Sequence, residues 1–228
     1  VINAGDDTVC AAAPVSNTSQ NGVARPQGAH CDIGSFELPF TTVTLKSIGV
    51  NDGWVLESTE ISGVGATKDS IATTFNLGDD AANKQYRSIL HFDTSSLPDT
   101  AVITKVTLMI KKQGQVGANP FTALGGLLVD MRKPAFGAAA LAAPDFQATA
   151  GRTAVATFGS PPTLNWYSAL LNGPGRAYVN KTGTTQFRLR FATDDNNNSL
   201  ANFMRFFSGD AGVASRPQLI VEYYMPCH

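Results

Sequence analysis

The sequence predicts an all-β fold, an antiparallel β-sandwich or jelly roll, and two segments carry most of this prediction. Residues 87–110 read RSILHFDTSSLPDTAVITKVTLMI, and residues 216–224 read RPQLIVEYY. Both segments alternate apolar and polar residues with a period of two, which indicates strands with one face in the core. Turn residues then separate further short apolar runs along the chain, a spacing typical of sandwiches and jelly rolls.

The alternation assigns the residues of the first segment to opposite faces of a sheet. Before the turn at residues 95–99, one face carries Leu90 and Phe92, and the other carries Arg87, Ile89, His91 and Asp93. After the turn, the predicted core face holds Val102, Val106, Leu108 and Ile110, and the solvent face holds Lys105, Thr107 and Lys111. We therefore expect two half-buried strands here.

Residues 1–38 form a loop-rich segment in which Gly, Asn and Asp interrupt very short apolar pieces, so tight turns are expected. Cys10 and Cys31 close a loop of about twenty residues in this segment. A disulfide between them would restrict the unfolded chain and is worth roughly 3 kcal/mol. The alternative is two unpaired thiols; a zinc site is disfavoured because His30 is the only histidine nearby. Cys227 is left over as a tail residue.

Residues 39–51 are either a linker or a first strand, and residues 52–226 are expected to form the sandwich domain. Nine strands are predicted in that domain, at residues 54–58, 71–77, 87–93, 102–111, 127–131, 154–158, 187–191, 203–207 and 218–224. Two further segments are predicted to be helical. Ala138–Ala150 contains Pro144, so it predicts only a short helix. Asn165–Leu171 could form two turns, capped by Asn165 and ended near Gly173.

Composition argues against several classes of protein. The 228 residues carry a net charge of −1, and Lys and Arg do not cluster, so no nucleic-acid partner is expected. No apolar run approaches the roughly 20 residues that span a bilayer. The chain starts with Val1 and shows no signal-peptide pattern, so we expect a processed product or a fragment. The cysteine usage favours an extracellular or cell-surface location.

Part of the N-terminal segment resembles the closing segment of secreted parallel β-helix proteins of the choice-of-anchor-like type. Their C-terminal edge often reads RPQG-x-x-CDIGAFE. The matching residues here are RPQG at 25–28, CDIG at 31–34 and FE at 36–37, with Ser35 in place of the usual Ala. The resemblance implies a terminal solenoid coil. Such a coil cannot bury its face alone, so it packs on the sandwich or on another chain.

The rest of the chain, roughly residues 52–224, is similar to the DNRLRE-type domains at the C-termini of secreted bacterial and archaeal proteins. The resemblance rests on RSILHFD and SSLP within residues 87–98, on the strand at 103–110, and on RPQLIVEY at 216–223. The sequence NFMRFFS at 202–208 stands where the Asn-Arg motif of the family is expected. The resemblance implies a β-sandwich related to carbohydrate-binding modules, some of which attach to polysaccharide.

The residues show no catalytic constellation, so an enzyme is not expected. His91 shares a predicted strand face with Arg87 and Asp93, but no nucleophile motif accompanies it. We therefore interpret it as a residue of the sheet. Acidic pairs such as Glu57 and Glu60 are local in sequence and do not predict two carboxyls held across a cleft, as glycosidic chemistry requires.

Two polar loops are candidates for a structural calcium ion, which prefers six to eight hard oxygen ligands. The first loop follows the 187–191 strand and carries Asp194, Asp195, Asn196 and Asn198. The second follows residue 78 and carries Asp79 and Asp80. Their spacing does not match an EF-hand, and the alternative is polar turns without metal.

Aromatic side chains are the candidates for glycan binding, because sugar rings stack on flat apolar surfaces. Trp166 and Tyr167 are predicted to form an exposed patch, and Trp54 and Tyr178 are further candidates. Core packing is the alternative for each of them.

The leading functional prediction is a non-catalytic extracellular module for adhesion, which attaches to a polysaccharide or cell-surface glycan. The alternative is a structural subunit, in which the N-terminal segment and the sheet edges join copies of the chain into a filament or sheath. A secreted hydrolase is the least favoured reading.

Overall fold

The computed structural model of the chain describes residues 1–159 and 161–226. Its strands in these residues are β1 (Phe40–Lys46), β2 (Gly53–Glu57), β3 (Gly65–Asp69), β4 (Thr74–Asp79), β5 (Gln85–Asp93), β6 (Val102–Val116), β7 (Leu127–Arg132), β8 (Arg152–Phe158), β9 (Trp166–Leu170), β10 (Thr184–Phe191), β11 (Asn202–Phe207) and β12 (Gln218–Tyr224). The helical elements are α1 (Asp7–Ala11), α2 (Pro120–Ala123), α3 (Gly173–Tyr178) and 3-10 turns at Gly49–Asn51 and Ala143–Phe146. Cys227, predicted to be a tail residue, lies outside the described residues.

The fold is all-β, which confirms the predicted class. The strands follow one another in the order β1-β12-β6-β11-β4-β5-β10-β7-β8, with β2 paired to β3 and β5, and β9 paired to β6. The central pairs, such as β5–β10 and β4–β11, are antiparallel, and the sheet is curled as in a β-sandwich. By its internal contacts the chain divides into one unit of residues 1–43, 100–104 and 222–226, and a second of residues 44–99 and 105–221.

All nine strands predicted for the domain are present, and β12 has the predicted bounds. Residues 39–51, predicted to be a linker or a first strand, contain β1. The prediction of strand from residue 71 was wrong at its start, because Ile71 is 87% exposed in the turn before β4. The predicted helix at Asn165–Leu171 is instead the strand β9, and β3 was not predicted.

The strand β5 lies at the centre of the second unit and is buried on both faces along most of its length. It pairs with β10 over six positions and with β2 over four. Phe92 meets Phe187 of β10 edge to face, with ring centres 5.7 Å apart. The expectation of a half-buried strand was therefore wrong for β5. For β6 it is correct at Val106, Leu108 and Ile110, which are fully buried, whereas Val102 is exposed.

A loop covers the second face of β5, and its apolar side chains pack with residues of β2 and β5 into a small core. This cluster consists of Val55, Ile89, Phe136, Leu141 and Phe146. The predicted helix at Ala138–Ala150 reduces to the 3-10 turn at Ala143–Phe146. A regular helix would bond its carbonyls internally, whereas here they face arginine side chains on the sheet.

Two arginines hold this covering loop on the sheet. Arg188 of β10 donates Nη1 to the carbonyls of Asp145, Phe146 and Ala148 at 2.7–3.2 Å. Its Nη2 lies 3.0 Å from Asp130 Oδ2, so the buried guanidinium is paired as well as hydrogen-bonded. Arg87 of β5 donates to the carbonyl of Phe146 at 2.8 Å and lies over its ring. The planar fork of arginine suits several acceptors at once.

The N-terminal segment is held by polar contacts around a disulfide. Cys10 and Cys31 form the predicted bond. Arg25 lies 3.5 Å from the carboxylate of Glu37 and donates to the carbonyl of Gly34 at 2.7 Å. Glu37 in turn accepts the backbone N–H of Gln27 and of Asp32, each at 2.9 Å. The residues of the RPQG and CDIG sequences thus serve mainly to close the turns of this segment.

A buried carboxyl group ties three parts of the second unit together. Asp52 is 1% exposed, and its two oxygens accept the N–H of His91 at 2.6 Å and of Gly209 at 3.1 Å. Burial raises the pKa of Asp52 to about 8, and the charge of Asp210 adds to that rise. The unfolded chain, with a pKa near 3.9, releases this proton at lower pH. The contribution of Asp52 to the free energy of unfolding therefore falls as pH rises from about 4 to 8.

We predict that Asp52→Asn flattens the pH dependence of stability. Asn cannot accept both N–H groups, so at pH 5 the variant is less stable than the wild type by about 1–3 kcal/mol. The gap narrows as pH rises to 8, since only the wild type loses stability through this group. Urea unfolding at pH 5, 6, 7 and 8 measures the difference in free energy of unfolding between the variant and the wild type. Asp93→Asn, at an exposed carboxyl, is the control and keeps the wild-type slope. Parallel curves for Asp52→Asn and wild type would contradict the prediction.

Candidate functional site

Three aromatic rings from three strands form a continuous row, which we call the aromatic row: Trp54 of β2, Tyr86 of β5 and Phe203 of β11. Trp54 and Tyr86 meet edge to face with ring centres 5.2 Å apart. Tyr86 and Phe203 are tilted against each other at 5.3 Å. Trp54 and Tyr86 are half-buried, whereas Phe203 is 9% exposed. Solvent therefore reaches the row mainly at its Trp54 and Tyr86 end.

The row depends on a glycine in the strand between two of its rings. Gly78 of β4 pairs with Tyr86 on one side and with Phe203 on the other. Because Gly78 has no side chain, the two rings can meet across β4. Its φ is +133°, a backbone conformation that side chains other than glycine rarely adopt. A Cβ at this position would also clash with the backbone of Asn202 and Phe203.

Polar groups flank the row. The exposed Arg205 places its guanidinium 5.6 Å from the centre of the Phe203 ring. Asn76 lies opposite Arg205 in the sheet register, and its side chain is close enough to the Tyr86 hydroxyl to lower the pKa of that group. Burial raises the pKa of the Tyr86 hydroxyl, with a further rise from the charge of Asp80. The hydroxyl of Tyr86 is therefore protonated at neutral pH and can donate a hydrogen bond.

An open cleft of about 450 Å³ adjoins the Trp54 end of the row. It is lined by Trp54, Thr67, Lys68, Asp69, Ser70 and Ile71. The cleft thus combines an indole ring, an exposed apolar side chain and both signs of charge. Such a surface offers stacking on one side and hydrogen-bond partners for hydroxyl groups on the other.

The four aromatic residues predicted for glycan binding fall on different elements. Trp54 belongs to the aromatic row, and Trp166 lies half-buried on β9 with Lys111 Nζ 5.8 Å from its ring. The prediction for Tyr167 was wrong: it is 3% exposed and stacks on Phe121 at 5.1 Å. Since Trp166 and Tyr167 are consecutive on a strand, their side chains point to opposite faces.

Tyr178 of α3 is half-buried and already covered by cations. Lys133 Nζ and the guanidinium of Arg152 each lie 4.8 Å from the centre of its ring. Its prediction as a stacking platform is therefore unsupported. Sequence reasoning missed Phe203 and Arg205 as site residues, although the alternation of β11 puts both on the face opposite the buried Met204 and Phe206.

The predicted calcium ligands separate into two groups. Asp79 and Asp195 are buried, at 0% and 4% exposure. Asp80 instead accepts the N–H of Ala82 and Lys84 in the turn after β4 and pairs with the Lys84 ammonium. Asp80 therefore stabilises a polar turn, the alternative to calcium binding.

The amides of the loop at residues 194–201 also serve in turns. Asn196 accepts the N–H of Asn198, and Asn198 accepts the N–H of Leu200. Asn198 Oδ1 further accepts from Asn202 Nδ2 at 3.2 Å. Asp194 is exposed. Within residues 1–159 and 161–226, no group of three or more His, Cys, Asp or Glu side chains is arranged to hold a metal ion.

Asp79 differs from the other carboxylates. Both of its oxygens are buried without a hydrogen-bond partner in ordinary geometry. Burial raises the pKa of Asp79 to about 6, and the negative charge of Asp195 adds to the rise. The backbone N–H of Asn196 and the side-chain amide of Asn202 act in the opposite direction and lower the pKa of Asp79. Asp79 therefore faces the loop that contains Asp195. The two loops that the sequence offered as candidates for calcium thus lie next to each other.

His91 is a buried residue of the sheet rather than a surface group. It is 2% exposed, and its Nδ1 lies 3.0 Å from the amide nitrogen of Gln186. Burial lowers the pKa of the imidazole, so it is neutral at physiological pH.

Comparison of the chain with models of known protein families and with curated proteins finds no match. The three short α-helices of the described residues have four to six residues each, so none could span a bilayer.

Proposed function

We propose that the chain is a non-catalytic, extracellular β-sandwich module that attaches to surfaces by binding a polysaccharide or cell-surface glycan. The observation that carries this proposal is the aromatic row, with the open cleft at its Trp54 end. The DNRLRE-type resemblance described above agrees with it, since relatives of that type include modules that attach to polysaccharide.

Sugar binding requires a flat apolar surface next to groups that bond hydroxyls. The half-exposed rings of Trp54 and Tyr86 supply the surface. Lys68 and Asp69 line the cleft beside Trp54, and Asn76 and Arg205 flank the row farther on. These groups include donors and acceptors, so they can bond hydroxyls on a chain of sugar units.

The disulfide supports the extracellular part of the proposal. The Cys10–Cys31 bond persists in oxidising surroundings and is rare in the reducing cytosol. A secreted or cell-surface module would meet glycans there, whereas no basic cluster favours a nucleic acid as partner.

We predict that Trp54→Ala weakens glycan binding by at least tenfold, about 1.4 kcal/mol, because the aromatic anchor beside the cleft is lost. Tyr86→Phe, which keeps the ring and removes the hydroxyl, weakens binding less. Affinity electrophoresis on a panel of plant, algal and bacterial polysaccharides identifies a ligand, and calorimetry measures Kd.

The matched control is Trp166→Ala on β9. It removes another half-buried indole, one that lies outside the row, and leaves binding unchanged. Circular dichroism verifies that each variant is folded. Loss of binding in Trp166→Ala but not in Trp54→Ala would move the site to β9, and absence of binding to every polysaccharide would contradict the proposal.

The second candidate is a structural subunit that assembles through the N-terminal segment. In the unit that contains this segment, Val1, Val9, Ile33 and Phe36 are all more than half exposed. A cavity of about 380 Å³ is lined by Ile33 and Phe36 together with Val1, Ile2, Asp32, Leu38, Tyr224 and Pro226. Exposed apolar patches of this kind are typical of surfaces that pack on a partner.

If copies assemble through this surface, Ile33→Ser with Phe36→Ser abolishes the assembly. Light scattering and electron microscopy at rising protein concentration measure it. The control is Ile61→Ser, at an isoleucine elsewhere in the chain that is even more exposed. A wild type that stays monomeric at every concentration would rule the second candidate out.

A further inference from the structure

The end of β4 and the loop before β11 come together although they are far apart in sequence. Asp79, the last residue of β4, is the register partner of Asn202, the first residue of β11. The loop at residues 194–201 leads directly into Asn202, and Asp195 of this loop acts on the Asp79 carboxylate. The two polar loops that the sequence offers as alternatives are thus one structural neighbourhood.

Asp79 has an unbalanced charge in this neighbourhood. Asp79 is 0% exposed, and neither carboxylate oxygen has a hydrogen-bond partner in ordinary geometry, although the backbone N–H of Asn196 and the side-chain amide of Asn202 lie close enough to lower its pKa. The ion pairs of residues 1–159 and 161–226 do not include Asp79, and the charge that acts on it is that of another acid, Asp195. An ionised carboxylate without a partner costs several kcal/mol to bury. A bound cation would remove this cost.

The available ligands specify the kind of cation. Asp195 uses Oδ1 to accept the N–H of Asn197, which leaves Oδ2 free for a ligand. The polar groups of residues 196–202 are hydroxyls, amides and backbone carbonyls, and the segment has neither His nor Cys. Zinc prefers nitrogen and sulfur, and magnesium keeps several of its waters. Calcium accepts carboxylate, amide and carbonyl oxygens in a flexible geometry.

We propose that Asp79 and Asp195 together bind one calcium ion, which fastens the 194–201 loop to the end of β4. Oxygen atoms of the loop backbone and water complete the coordination. Asp80 and Asn198 are not ligands, because their oxygens are used in turns. The ion is structural, and its binding does not depend on whether the aromatic row takes a glycan.

The test uses the whole chain, stripped with EDTA and then titrated with CaCl₂. We expect calorimetry to give one bound calcium per chain. Calcium at 100 times its Kd raises the Tm by about 5 °C or more, since only the folded chain binds it. Magnesium at the same concentration gives a much smaller rise.

The variants separate this site from others. Asp79→Asn loses both the binding and the rise in Tm, yet in EDTA it is at least as stable as the wild type, because the buried charge is gone. Asp195→Asn loses most of the affinity. Asp194→Asn, at the exposed neighbour, keeps the wild-type response. A wild type without bound calcium, or a response that survives in Asp79→Asn, would overturn the proposal.

Discussion

The second unit depends on the pairing of β5 with β10, because these neighbouring strands are shielded from water along most of their length. Phe92 and Phe187 pack on one face of the pair, and the loop at residues 135–150 covers the other. That cover brings loop carbonyls out of water, and each one needs a donor. Arg188 supplies donors to three of them and is itself neutralised by Asp130. The same guanidinium therefore holds the covering loop in place. Its pairing with Asp130 also offsets the cost of burying a charged side chain on β10.

Two consecutive residues of β4 serve two different sites. Gly78 leaves the space in which the rings of Tyr86 and Phe203 meet, while Asp79, with its side chain on the opposite face, points toward the loop before β11. A cation at Asp79 would hold the start of β11, and Phe203 is the second residue of that strand. The register of β4 against β11 thus links the order of the loop to the position of one ring of the aromatic row.

Sequence patterns predicted the fold better than they predicted the site, for physical reasons. Strands such as β12 alternate cleanly because one of their faces is buried, so period two identifies them. The strand β3, with the sequence GATKD, has no apolar alternation, and its strand form comes from pairing with β2. β9 was predicted as helix because Asn165 resembles a cap, whereas its pairing with β6 decides its conformation. The approach of Asp79 to Asp195 depends on how distant strands pair, which no local pattern contains.

The RPQG and CDIG sequences are the most specific motif of the chain, yet their charged groups are already paired within the fold. Arg25 and Glu37, in the region of the RPQG and CDIG sequences, pair with each other and form hydrogen bonds with backbone groups. Their spacing therefore serves to close the turns of the N-terminal segment. A binding site needs groups whose capacity is not consumed by the fold, and the second unit has such groups in the half-exposed rings of Trp54 and Tyr86, in the exposed Arg205, and in the unpartnered carboxylate of Asp79. Function is to be sought at these residues, although no recognisable motif marks them.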